Sequence, residues 1–171
     1  MRTAVKLGLL LGLASGLVAG ARVSASASQQ VELDRTLQRV HGSVIMASDV
    51  RQAKALRLVP GADAGDAAVQ AALENRLLIL HEISRAALKE PASDAIAARR
   101  ATWKSSWPAG TDTAALMTRA GMNDQSMDGW CRDELKIAEY LDQRFGQRTA
   151  GERDKLMADW LADLRRRANL R

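Results

Sequence analysis

The chain has 171 residues, 47% of them hydrophobic and 26% charged, with one cysteine and a formal net charge of +5. That length suits a single packed domain, and one cysteine excludes a disulfide framework, so folding must rest on packing. The charge excess shrinks when Arg2, Lys6 and Arg22 of the first 27 residues are set aside, leaving 22 basic against 20 acidic residues. A nearly balanced domain argues against nucleic acid as a partner, which would call for a clustered basic face.

The N-terminus is expected to be a signal peptide covering residues 1–27. Arg2 and Lys6 precede an uncharged run from Leu7 to Gly20, and Val23-Ser24-Ala25 and Ala25-Ser26-Ala27 both have the small-x-small form that precedes cleavage. Cleavage after Ala25 or Ala27 leaves an exported domain of residues 28–171. The apolar run falls short of the roughly 20 residues of a membrane span, and no later segment approaches that length, so no stable membrane insertion is expected after processing. No cysteine follows the run that could carry a lipid.

Thr36 to Val40 and Ser43 to Ala47 are β-rich runs joined by His41-Gly42, a pair able to take the positive φ values of a two-residue hairpin turn. Ser48 and Asp49 predict the start of a first helix reaching about Leu58, stopped by Val59-Pro60-Gly61. A long second helix is expected from about Asp66 to Lys89. Its stripe of Val69, Leu73, Leu77, Leu80 and Leu88 is widened by Leu78, Ile79 and Ile83, the pattern of a helix packed on more than one side.

After Pro91, Ser93-Asp94 predict a third helix ending near Ser106, before Trp107-Pro108-Ala109-Gly110. Thr111 to Ala120 reads as a short helix with Gly121 as its left-handed stop. Asn123 caps a helix from Asp124 to Phe145, closed by Gly146, and the last helix spans about Gly151 to Ala168 with Leu156, Met157, Trp160, Leu161 and Leu164 on its stripe. The fold class is therefore mainly α with a short N-terminal β-hairpin.

Few residues suggest chemistry. The chain has two histidines, His41 in the turn and His81 on the long helix, and together with Cys131 they give no metal-ligand spacing, so neither a metal nor a cofactor is expected. Ser48 is read as a cap rather than a nucleophile, since no elbow motif surrounds it. Cys131 lies on a helical stripe as an inert buried thiol, and Trp130 and Trp160 are read as core. Arg165, Arg166, Arg167 and Arg171 are read as a solvated helix terminus complementing the macrodipole, and Asp133-Glu134 and Asp159-Asp163 as solvated acid pairs. The residues singled out for binding are Trp103 and Trp107, four apart near a helix end, with Met117, Met122 and Met127 around Gly121. Flexible, polarizable side chains of this kind suit a surface that adapts to many apolar partners, although core filling is the competing reading.

Three stretches carry a resemblance to a known family: LDRTLQRVHGSVIMASDVRQA, ALENRLLILHEISR and AGMNDQSMDGWCRDELKIAEYLDQRFG. In order and spacing they resemble the N-terminal domain of SurA-like periplasmic chaperones, a helical chaperone class shared with the C-terminal domain of trigger factor. The likeness runs from about Leu33 to Phe145, and the final helix resembles the one that completes that domain. It implies a periplasmic protein that binds unfolded or extended polypeptides, such as outer-membrane protein clients, with the hairpin as a structural clasp. His41 stands where the family more often has Asn. The family's parvulin-type isomerase domains would have to fit within Gly146 to Ala150, which is impossible, so no enzyme activity is carried over. The alternative is a structural or adaptor subunit docking on one envelope partner.

Overall fold

A computed structural model describes residues 34–86 and 88–170 of the chain, so the expected signal peptide lies outside the described residues. Strand β1 (Thr36–Val40) pairs antiparallel with β2 (Ser43–Met46), setting Val40 opposite Ser43 and Gln38 opposite Ile45. The turn takes φ values of 46° at His41 and 88° at Gly42, the two positive angles of a turn whose twist matches its strands. Val40 and Ile45 point from the hairpin into the core, each 2% exposed.

Helix α1 (Ala47–Ala55) starts with no linker after β2. That continuity moves the cap: Met46 occupies the N-cap position and donates its N–H to the Asp49 carboxylate at 2.8 Å. Ser48, expected as the cap, sits inside the first turn and faces back along the chain. Its backbone N–H donates to Asp34 at 3.0 Å and its hydroxyl donates to the other oxygen of the same carboxylate. The hydroxyl bond is the main reason that the Asp34 carboxyl lies below its usual range.

A short 3-10 turn (Ala62–Ala64) leads to α2 (Asp66–Ile83), the central helix, which meets the hairpin, α1, α5 and α6. Val69, Leu73, Leu78, Ile79 and Ile83 are all buried along it, the two-sided burial that its broad apolar arc predicts. It ends earlier than the expected Lys89. Ser84 turns its hydroxyl onto the His81 carbonyl at 2.7 Å, and the next bonds, Arg85 to Glu82 and Ala86 to Ile83, tighten to three-residue spacing. A serine that satisfies a helical carbonyl locally competes with continued winding.

Helix α3 (Ser93–Ser105) packs on α5 (Asp124–Phe145), and α4 (Thr113–Arg119) lies between them in sequence. Asn123 caps α5 as expected, accepting from the Ser126 N–H at 2.8 Å while its own N–H donates to the Ser126 hydroxyl at 2.9 Å. Gly121 takes φ 73°. Gly146 follows α5 with φ −62°, so it is not there for a left-handed turn. A Cβ at that position would lie 2.5 Å from the Asp142 carbonyl oxygen, and lack of space is what calls for glycine.

Helix α6 (Ala150–Arg167) opens with Thr149 donating its N–H at 3.2 Å and its hydroxyl at 2.7 Å to the Glu152 carboxylate, then returns to pack on α2 and α5. It contributes Trp160 and Leu164 to the core. A polar tie joins it to α2 as well. Glu74 on α2, 6% exposed and the one buried charged residue among the described residues, accepts from the Arg165 guanidinium and from Gln70 Nε2 at 3.0 Å. Among the described residues no helix is long and apolar enough to cross a membrane.

Candidate functional site

Four of the five residues singled out for binding are core. Trp103 is 7% exposed and donates its indole N–H to the Leu56 carbonyl at 2.9 Å, tying α3 to the end of α1. Met117, Met122 and Met127 are also buried, with Met127 completely enclosed. The Gly121 turn lets the Met122 N–H reach back to the Met117 carbonyl at 2.9 Å, which folds both thioethers inward. Only Trp107 keeps partial exposure; it stands edge-on to Trp103 at 6.2 Å between ring centres, with Arg57 4.7 Å above its ring. The expected surface around Trp103, Trp107 and Met117 is thus not an open concavity. The methionines fill gaps in the core, as their flexibility equally allows. Cys131 is 1% exposed, and burial pushes its thiol pKa up, which keeps it protonated and unreactive.

An open concavity is lined mainly by α2 and α5. A cleft of about 800 Å³ runs between α2 and α5, closed at one end by the Leu58-Val59-Pro60 stretch and touched at the other by Arg153 of α6. Its apolar floor comes from Val59, Ile79, Trp130, Ile137 and Leu141. The spacing is local in origin: Trp130, Ile137 and Leu141 recur at helical intervals of seven and four on α5, while Ile79 is presented by the widened arc of α2. A smaller cavity of about 140 Å³ lies behind it under the hairpin, lined by Val44, Ile45, Leu73 and Leu77, and shares Leu58, Arg76 and Trp130 with the cleft.

Charge rims this floor in fixed pairs. The Arg76 guanidinium lies 3.7 Å from the Trp130 ring centre and donates to the Trp130 carbonyl at 3.2 Å and to Asp133 at 3.1 Å. Burial draws its pKa below the usual guanidinium value, and Asp133 and Glu134 oppose the shift. Arg99 and Glu134 pair at 2.7 Å on the same rim. The acid pair Asp133-Glu134, read as solvated, instead holds these two arginines in place. Sequence inspection could have found one signal for this, namely acids one helical turn from a tryptophan on an apolar stripe.

Two further placements depart from the sequence reading. Arg165 is not a solvated terminus but the partner of buried Glu74 and of Asn75. Arg166 and Arg167 pair with Asp163 at 2.9 and 3.1 Å, and Arg171 lies outside the described residues. His41 and His81, forty residues apart, stack face to face with ring centres 3.9 Å apart and planes 9° from parallel. Parallel stacked rings cannot aim their lone pairs at a common ion. Among the described residues no group of three or more His, Cys, Asp or Glu is placed to hold a metal.

Among the described residues the cleft offers apolar area and a fixed ionic rim. In comparison with known proteins, no family model, no curated protein and no solved structure matches the chain.

Proposed function

We propose that the chain is an exported, non-catalytic chaperone domain of the SurA-like kind, holding unfolded or extended polypeptide segments in the cleft between α2 and α5. The observation that carries this reading is the open, apolar-floored cleft of about 800 Å³ beside a closed core. A concave apolar site with few oriented polar groups is the usual form of a binding site. The order of hairpin, short helix, long central helix and returning last helix agrees with the resemblance noted in the sequence. The four residues between Phe145 and Ala150 leave no room for an isomerase module.

Client affinity in this reading comes from burying apolar side chains over Val59, Ile137 and Leu141, at about 25 cal/mol per Å² before ordering costs. Apolar contact of this kind selects for burial and not for one side chain, so recognition is tolerant of sequence. Arg76 and Arg99 are already paired to carboxylates and so do not demand one client charge.

The test is suppression of aggregation. The purified protein should slow light scattering by a denatured outer-membrane protein, and Ile137→Lys with Leu141→Lys should abolish the effect while circular dichroism stays helical. If the double variant protects as well as the parent, the cleft is not the client site. Absence of any protection, with one envelope protein recovered by pulldown, would replace this reading with an adaptor role.

A further inference from the structure

We propose that the cavity of about 140 Å³ beneath the hairpin is an anchor pocket of the cleft, taking one leucine-sized apolar side chain from the polypeptide held there. The inference rests on the cleft reading above and names a side chain that the cleft favours.

The two spaces meet along one helix. On α2, Ala72, Asn75, Arg76 and Ile79 recur on the face that lines the cleft, while Leu73, Arg76 and Leu77 line the smaller cavity one step around the same helix. Arg76 lies on the shared edge, and Trp130 of α5 and Leu58 are likewise common to both. A chain laid along the cleft floor therefore passes beside the inner space.

The lining of that space suits an aliphatic guest. Val44 and Ile45 of β2 and Ala53 of α1 stand across from Leu73 and Leu77. Three polar side chains reach it too, and each already has a partner. Asp49 accepts from the Met46 N–H at 2.8 Å, Gln52 donates to the Ala120 carbonyl at 3.0 Å, and Arg76 donates to Asp133 at 3.1 Å. The contacts left for a guest are chiefly apolar. Close-packed interiors leave few voids wider than a water molecule, and an apolar cavity of about 150 Å³, the kind made by trimming one core leucine, stays dry and binds benzene. Size therefore sets the guest: an alanine methyl leaves most of the space unfilled, whereas a leucine side chain matches it. The hairpin wall stays in place throughout, because Val40 and Ile45 are buried in the core, so the pocket is formed before a client arrives.

The experiment pairs a small probe with short peptides. Benzene added to the purified protein should shift the NMR methyl signals of Val44, Ile45, Leu73 and Leu77. Leu77→Phe and Val44→Phe, which fill the space from the α2 side and the hairpin side, should each remove that shift while circular dichroism stays helical. Fluorescence anisotropy then compares apolar peptides that differ only in leucine or alanine at one central position. The leucine peptide should bind the parent about ten-fold tighter, the worth of burying one such side chain, and the filled variants should lose that preference yet keep the alanine peptide's affinity. Equal binding of the two peptides to the parent, or a leucine preference that survives both filled variants, overturns the anchor and leaves the cleft reading standing. If neither peptide binds while benzene still shifts the methyls, the cleft reading fails and the anchor falls with it.

Discussion

Glu74 and Arg165, ninety-one residues apart, meet as the buried polar contact that fixes the last helix against the central one. Removing the cation alone leaves a carboxylate with 8% side-chain exposure and no counter-ion. Arg165→Met should therefore cost about 3 kcal/mol in urea unfolding, while the joint replacement Glu74→Leu with Arg165→Leu should cost much less, because no charge is stranded. Equal losses for the single and joint variants would contradict this account.

Trp103 of α3 and Trp107, just past its end, should separate cleanly. Trp103→Phe strands the buried Leu56 carbonyl and should destabilise by about 1–3 kcal/mol. Trp107 has a buried indole N–H with no partner among the described residues, so Trp107→Phe removes an unsatisfied donor and should cost about 0.5 kcal/mol or less. Thermal melts of the two variants side by side decide the matter.

Gly146→Ala should destabilise by about 1–3 kcal/mol although its φ is ordinary, because the added methyl meets the Asp142 backbone and cannot be relieved by a rotamer change. Gly129 offers the control: nothing lies within 4 Å of a Cβ there, and it sits inside α5. Gly129→Ala should stabilise by up to about 1 kcal/mol through helix propensity. Opposite signs for the two glycines are the expected outcome in chemical denaturation.

Cys131 links burial to pH. Its pKa is raised in the folded state, so the folded form holds the proton more tightly than the unfolded chain, and stability is complete below the unfolded value and falls as pH rises past it. The decline should begin above about pH 8.5 and be absent from Cys131→Ala measured over the same range. Thiol reagents should label the native protein only at its opening rate.

Much of the architecture was legible because its punctuation is chemical and local. His41-Gly42, Pro60-Gly61, Pro91, Gly121 and Asn123 each impose or forbid a backbone angle or supply a cap, and the elements fall between them. The misplaced boundaries have local rivals: Ser48 lost its cap role to strand-to-helix continuity, and Ser84 ended α2 before the stripe did. The candidate site was far less legible. A methionine near a turn looks alike in sequence whether it faces solvent or core, and Met117, Met122 and Met127 are turned inward by a backbone bond across Gly121. Glu74 did leave a trace, as an acid set directly after Leu73 on the apolar stripe that continues at Leu77. Its partner, and the pairing of His41 with His81, depend on contacts across the fold that no spacing encodes.

The return of α6 to α2 also governs when folding can finish. Helix α2 waits for Leu164 and Arg165, which leave the ribosome about ninety residues after it, so the growing chain carries an unfinished interior until α6 has been made. A polypeptide built this way stays threadable while these helices are being made and closes only once α6 arrives.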